Sequence, residues 1–157
     1  MNIVAFIPLG GKGTRLNSIT KEIPKPLYKV EGESTLFRCC KNLKTFGIEK
    51  VIFSIGFKSE NFTEPIKEIA STFDLEIMVN EEKKPLGECG ALWNFYEYLS
   101  EDFLFINGDL IFNLDFSRLI NYHKRLASKL TLVTHVSTHP FDSDLVSVPN
   151  GSQIKKL

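Results

Sequence analysis

The sequence predicts an α/β fold, a Rossmann-like three-layer sandwich with a mostly parallel sheet and helices on both faces. Two observations predict it. Short apolar runs rich in branched and aromatic residues recur along the chain, and the segments between them carry apolar residues at helical spacing. Parallel strands need a crossover of a dozen or more residues, and these intervening segments supply one each time.

The strands are read in order at Ile3 to Leu9, Val51 to Ile55, Glu76 to Val79, Phe103 to Ile106 and Leu130 to Val136, each as a buried run. Helical spacing appears in Leu36, Cys40 and Leu43, then in Phe62, Ile66, Ile69 and Phe73. It returns in Leu92, Tyr96 and Leu99, and again in Phe116, Leu119, Ile120, His123 and Leu126. Residues 10–34 break the alternation. They hold Gly10, Gly11, Gly13, Pro24 and Pro26 with no sustained period, and a long irregular stretch inside a domain is usually functional or disordered. After Val136 a hairpin is predicted, with Asp144 to Val148 and Gln153 to Leu157 flanking the turn signal Asn150-Gly151.

At 157 residues with 43% hydrophobic content, the chain reads as one domain, 1–157, with core enough to need no disulfide or metal staple. The 19 basic and 19 acidic residues cancel, which excludes a polybasic nucleic-acid binder and an acidic tail. Cys39, Cys40 and Cys89 cannot all pair, and the pattern fits reduced thiols. The chain lacks a secretory leader pattern and any apolar stretch of about 20 residues, so a cytoplasmic protein with no membrane contact is expected.

Ligands of open α/β sheets bind beyond the carboxyl ends of the strands, so the loops that follow the strands carry the candidate chemistry. The first reads Leu9-Gly10-Gly11-Lys12-Gly13-Thr14-Arg15-Leu16. Its glycines free the backbone to turn N–H groups towards an anion, and Lys12 and Arg15 add positive charge, so a phosphate is the natural guest. A P-loop is excluded because Arg15-Leu16 stand where Gly-Lys belong, and a dinucleotide fingerprint is excluded because Leu16 replaces its third glycine. The alternative is a flexible turn without a ligand.

Three further stretches qualify. Pro24-Lys25-Pro26 holds Lys25 between two prolines, which predicts a stiff, extended presentation; a plain surface lysine is the alternative. Asn107-Gly108-Asp109 ends the fourth strand with a carboxylate suited to a Mg²⁺ ion that bridges phosphate oxygens, or with an Asp that only turns the chain. Pro85-Leu86-Gly87-Glu88-Cys89-Gly90 joins a strand to a helix, and its glycines would admit a base or ribose, or merely pack. The histidines show no metal-ligand spacing, and Cys89 has no base partner for nucleophilic work.

Taken together, the glycine loop through Arg15-Leu16, then Pro24-Lys25-Pro26-Leu27, Pro85-Leu86-Gly87 with Gly90-Ala91-Leu92, and Asn107-Gly108-Asp109 resemble the sugar-1-phosphate nucleotidyltransferase family. The order of the motifs is most similar to the branch acting on mannose or heptose 1-phosphate with a guanine nucleotide. A stretch from Thr138 to Val146 is similar to one found in members fused to, or encoded beside, a sugar-phosphate phosphatase.

This resemblance implies the nucleotide-diphospho-sugar transferase type of fold. It implies transfer of a nucleoside monophosphate from an NTP to a sugar 1-phosphate, giving pyrophosphate and an NDP-sugar for surface-polysaccharide synthesis. By the same resemblance Arg15 and Lys25 are catalytic, Asp109 holds Mg²⁺, and Leu9, Gly10, Gly11, Gly13, Thr14, Pro85, Gly87 and Gly108 bind the nucleotide. There are departures: Leu9 stands where a small residue is common, and Glu88-Cys89 replace a common Thr-Ala pair. Family members usually continue beyond the position of Leu157 with much of the sugar pocket. The expectation is therefore a C-terminally truncated domain, active as it stands or a nucleotide-binding module completed by a second copy or a partner subunit.

Overall fold

The structure, a computed structural model, describes residues 3–11, 23–84, 86–87, 89–99, 101–136, 145–147 and 154. The chain forms two compact units, Met1–Ser117 and Arg118–Leu157. Among the described residues no helix is long and apolar enough to cross a membrane.

The first unit is built on a four-stranded, wholly parallel sheet. Its strands are β1 (Val4–Pro8), β4 (Lys50–Ile55), β5 (Glu76–Glu81) and β6 (Phe103–Phe105), in the spatial order β5-β4-β1-β6. The register places Ala5 beside Val51 and Leu104, and Ile52 beside Met78. Four of the five runs expected from sequence are therefore strands, differing by one or two residues at their ends.

Side chains of a strand alternate between faces. Phe6 and Ile52 share one cluster with Ala91, Leu92, Phe95, Leu99, Val4 and Met78. Phe6 also stacks on Phe105 with ring centres 5.8 Å apart and meets Phe95 edge-on at 6.3 Å. Ala5, Ile7, Val51 and Phe53 point to the opposite face and are fully buried as well. Both faces of the central strands are thus covered, as a parallel sheet requires.

Helix α1 (Thr35–Thr45) starts at Ser34, whose hydroxyl accepts the Phe37 N–H, and buries Leu36, Cys39, Cys40 and Leu43. It ends where Gly47 turns left-handed at φ +73°. There the Gly47 and Ile48 N–H groups return to the carbonyls of Lys44 and Leu43. Helix α2 (Thr63–Phe73) buries Ile66 and Ile69 and meets α1 through the Phe37 and Phe73 rings, 4.8 Å apart.

Three expectations are corrected. The segment holding Leu92, Tyr96 and Leu99 is not an α-helix: Gly90–Phe95 form a 3₁₀ helix followed by turns. It has one narrow apolar side and leaves Trp93 and Tyr96 exposed, too little burial to favour longer α-helical turns. Leu130 to Val136 is not a strand; it pairs with no ladder among the described residues. Residues 23–34, read as irregular, hold a 3₁₀ turn at Lys25–Leu27 and a hairpin of β2 (Lys29–Val30) and β3 (Glu33–Ser34). The hairpin turns on Glu31 and Gly32, both at positive φ, the geometry of the two-residue turn that matches strand twist.

In the second unit, helix α3 (Phe116–Arg125, which begins just before the unit boundary) ends on Ala127 at φ +47°, and His123 Nδ1 lies 2.8 Å from Thr131 Oγ1. The expected hairpin around Asn150-Gly151 lies outside the described residues, except for Leu145 to Ser147 and Ile154.

Candidate active site

The strand order indicates where a ligand crevice is to be looked for. From β1 the chain moves to β4 and β5 on one side, then returns to β6 on the other, so the order reverses between β1 and β6. A crevice opens beyond the carboxyl ends of strands at such a reversal. The loops at its two walls are Leu9-Gly10-Gly11 and Ile106-Asn107-Gly108-Asp109.

These two loops are packed together at Leu9 and Gly108. Leu9 is 2% exposed, and its N–H donates to the Ser54 carbonyl at 2.7 Å, extending the β1 ladder by one residue. A Cβ on Gly108 would overlap Leu9 Cδ2 and stand 3.2 Å from Ile7 Cγ2. Gly108 is therefore the residue that lets the β6 loop lie on β1. The Leu9 side chain faces this packing, so what it contributes at the crevice is wall rather than a group offered to a ligand.

Gly10 makes a second close approach. A Cβ on Gly56, at the end of β4, would lie 3.3 Å from Gly10 Cα, and one on Gly10 would lie 3.5 Å from Glu82 Oε1. Gly11 is exposed with open space around it. Gly13, Thr14 and Arg15 lie outside the described residues, as does Pro85.

Lys25 is half-buried in the 3₁₀ turn that follows Pro24, which corrects the extended presentation expected for it. Pro26 occupies a turn position that needs no N–H donor, while Leu27 and Tyr28 donate to the carbonyls of Pro24 and Lys25 at 2.9 and 3.0 Å. Both prolines are buried, and Thr35 holds the turn from the side. The Thr35 hydroxyl, itself buried, lies 3.0 Å from the Pro26 carbonyl and 3.3 Å from the Gly108 carbonyl. One side chain at the start of α1 thus brings the lysine turn to the loop that carries Asp109.

Asp109 is exposed just past the end of β6. Among the described residues there is no cluster of three or more His, Cys, Asp or Glu side chains able to enclose a metal. A lone accessible carboxylate still fits Mg²⁺, which is commonly held by one or two carboxylates plus substrate phosphates and water. Gly87 sits in an exposed turn at φ +75°. The structure therefore brings Leu9, Gly10, Gly108 and Asp109 to one rim and ties the Lys25 turn to it.

Sequence reasoning missed Thr35, Ser54 and Glu82. Thr35 follows a helix cap and reads as part of it. Glu82 sits in Glu81-Glu82-Lys83-Lys84, which reads as a solvated charge run.

A doubly wound parallel sheet with a glycine loop at its reversal point defines an α/β protein that takes its ligand at the carboxyl rim. The nucleotidyl transferase family model matches residues 4–143, and the chain belongs to that family. The chain is 36% identical over 115 residues to D-glycero-alpha-D-manno-heptose 1-phosphate guanylyltransferase of Campylobacter jejuni, covering 73% of this chain and 51% of that one. It is 31% identical over 132 residues to the mannose-1-phosphate guanylyltransferase catalytic subunit beta of Xenopus tropicalis, covering 82% and 37%. Among solved structures, HddC of Yersinia pseudotuberculosis complexed with GMP-PN matches with a TM-score of 0.68 and 30% identity, over 77% of this chain and 54% of that one. The chain thus spans about half the length, or less, of these relatives.

Proposed function

We propose that this chain carries the nucleotide-binding portion, 1–157, of a Mg²⁺-dependent sugar-1-phosphate nucleotidyltransferase that makes an NDP-sugar and pyrophosphate, with GTP as the nucleotide. The observation that carries this is the Thr35 hydroxyl, which ties the Lys25 turn to the Gly108 loop at the reversal point of the sheet. The guanylyltransferases among the relatives support the choice of nucleotide, and mannose and heptose 1-phosphates are the acceptors to try first.

The chemistry asks little proton traffic of the protein. A sugar 1-phosphate has a second pKa near 6 and is largely dianionic at neutral pH, so its oxygen attacks the α-phosphorus without a general base. The bond from the α-phosphorus to the bridging oxygen breaks, and pyrophosphate leaves with the electron pair. Lys25, together with Arg15, would neutralise charge on the phosphates as it develops, and the backbone of Gly10, Gly11 and Gly13 would hold the polyphosphate in place. Asp109 would hold Mg²⁺, which supplies charge neutralisation on phosphate oxygens. Thr14, Pro85 and Gly87 would complete the nucleoside side. The buried thiols of Cys39 and Cys40 suit a cytoplasmic setting.

The test is pyrophosphate release from Mg²⁺-GTP with mannose 1-phosphate, heptose 1-phosphate and other sugar 1-phosphates. Release well above that of Lys25→Ala supports catalysis; release equal to it refutes it. A second reading is a nucleotide-binding module completed by another copy or a partner subunit. It predicts a melting temperature raised by GTP without turnover.

A further inference from the structure

Charge is segregated along the chain beyond β5. Residues 85–117 hold six Asp and Glu and no Lys, Arg or His, whereas residues 118–136 hold four Lys and Arg and no Asp or Glu. The overall balance of 19 against 19 hides this division. Each of the two runs also carries exposed apolar side chains.

In the first unit, an open groove of about 600 Å³ has Leu92, Trp93, Tyr96, Leu99 and Phe103 in its lining. Trp93 stacks on Tyr96 with ring centres 5.9 Å apart, yet it is 79% exposed, and Tyr96, Tyr98 and Phe103 are exposed as well. Glu97 accepts the Tyr96 hydroxyl at 2.9 Å, and Glu101 and Asp102 immediately precede Phe103. Aromatic surface and exposed carboxylates thus stand together.

In the second unit, the end of α3 and the segment after it have the opposite charge. Lys124, Arg125 and Lys129 are exposed among Leu126, Leu130, Val133 and Val136, and Leu130 and Val136 are 70% and 90% exposed. This segment is folded back on its helix: the Ser128 N–H donates to the His123 carbonyl at 3.3 Å, and Thr131 meets the His123 ring. Among the described residues, no ion pair uses Glu101, Lys124, Arg125 or Lys129.

Aromatic and branched side chains exposed in such number mark an interaction surface. Charge decides what covers it. Groove against groove would set carboxylates against carboxylates, whereas groove against segment sets opposite charges together. A two-fold axis makes that contact twice, because what one copy offers its partner is offered back.

We propose that the chain forms a two-fold dimer in which the groove lined by Trp93 and Tyr96 in each copy takes the basic segment 124–136 of the other. Trp93 and Arg125, residue types that dominate interface energetics, are its anchors. The contact uses none of the residues assigned to the nucleotide or to Mg²⁺.

The experiment is sedimentation equilibrium on the 157-residue chain without nucleotide. It compares wild type, Trp93→Ala, an acid-reversed variant (Glu97→Lys with Glu101→Lys), a base-reversed variant (Lys124→Glu with Arg125→Glu) and an equal mixture of the two reversed variants. Wild type is expected at twice the mass of one chain, with a dissociation constant that rises about tenfold from low salt to about 0.5 M salt. Trp93→Ala is expected to weaken the dimer about tenfold. Each reversed variant alone sets like charges at both contacts and is expected to be monomeric. In the mixture one contact has both charges reversed and the other is native, so the dimer returns. A wild type still monomeric at about 100 μM overturns the proposal, and so does a dimer indifferent to both reversals. A mixture that stays monomeric also overturns it, the result expected if the segment fills the groove of its own chain. A monomer that sediments with phosphatidylglycerol vesicles but not with phosphatidylcholine assigns the basic segment to an anionic surface and overturns it equally. If either reversed variant does not fold, Trp93→Ala and salt decide: a dimer that withstands both refutes it.

Discussion

Thr35 and Gly108, on different elements of the first unit, are joined by a hydroxyl that also reaches Pro26, at 3.3 and 3.0 Å. A single proton is shared between two carbonyls, one in the Lys25 turn and one in the loop that carries Asp109. Replacing Thr35 with Val keeps the shape and removes the proton. Two buried or part-buried carbonyls then lose a partner, at a cost of about 1–3 kcal/mol. Denaturant unfolding measures that cost. The proposed role of Lys25 adds a functional consequence: GTP affinity or pyrophosphate release should fall at least as far as stability does, measured in the same preparation.

Ser34→Ala supplies the matched control. Ser34 caps the same helix by accepting the Phe37 N–H at 3.1 Å, and loss of such a cap costs about 1 kcal/mol. The midpoint of unfolding should drop, yet the Pro26 and Gly108 carbonyls keep their partner. Nucleotide binding should therefore stay within about twofold of wild type; a loss comparable to that of Thr35→Val would remove the distinction between the two hydroxyls.

Gly108→Ala should destabilise the protein by about 1–3 kcal/mol, because the new methyl overlaps Leu9 Cδ2 and presses on Ile7. Shortening Leu9 to Val ought to relieve part of this. In a double-mutant cycle measured by chemical denaturation, Leu9→Val with Gly108→Ala is expected to cost less than the two single changes combined.

Alkaline stability follows from the cysteines. Burial pushes the Cys39 thiol up to about 12 and raises Cys40 well above its ordinary value, with Cys39 adding to the second shift. In the folded protein both stay protonated while the unfolded chain ionises from its ordinary value of 9.0 upwards. The unfolded state then binds fewer protons, so stability is unaffected below that value and falls as pH rises towards 12. Each thiol contributes a slope of up to about 1.4 kcal/mol per pH unit. Cys39→Ala should flatten the pH dependence measured by urea unfolding between pH 9 and 11. Under native conditions an alkylating reagent should modify exposed Cys89 and spare the other two, as peptide mass spectrometry would show.

The strands of the sheet were legible because apolar runs that must be buried on two faces have few other readings. The Leu9 to Gly11 and Asn107 to Asp109 loops were legible because they follow such strands. Less legible were elements whose cause lies in another segment. The β2–β3 hairpin turns on Glu31 in a left-handed conformation, and Glu is no turn signal by itself. The stretch from Leu92 to Leu99 has helical spacing, but spacing does not reveal that Trp93 stays 79% exposed. Leu130 to Val136 has the composition of a strand, and composition cannot supply the neighbour on which a ladder depends. Glu82 was hidden among like charges; only the fold shows that Ser54, far away in sequence, points at it.

The four strands of the sheet all run the same way, which puts their carboxyl ends at one rim and their amino ends at the other. Gly10, Glu82 and Asp109 gather at the first. The second holds the turns at Gly47 and Asp74 and the surface ion pairs Lys44–Glu49 and Lys50–Glu76. Polar replacements at Glu49, Lys50 or Glu76 are therefore answerable to folding alone, and a fluorophore or tether attached there would report on ligand capture at the far end without taking part in it.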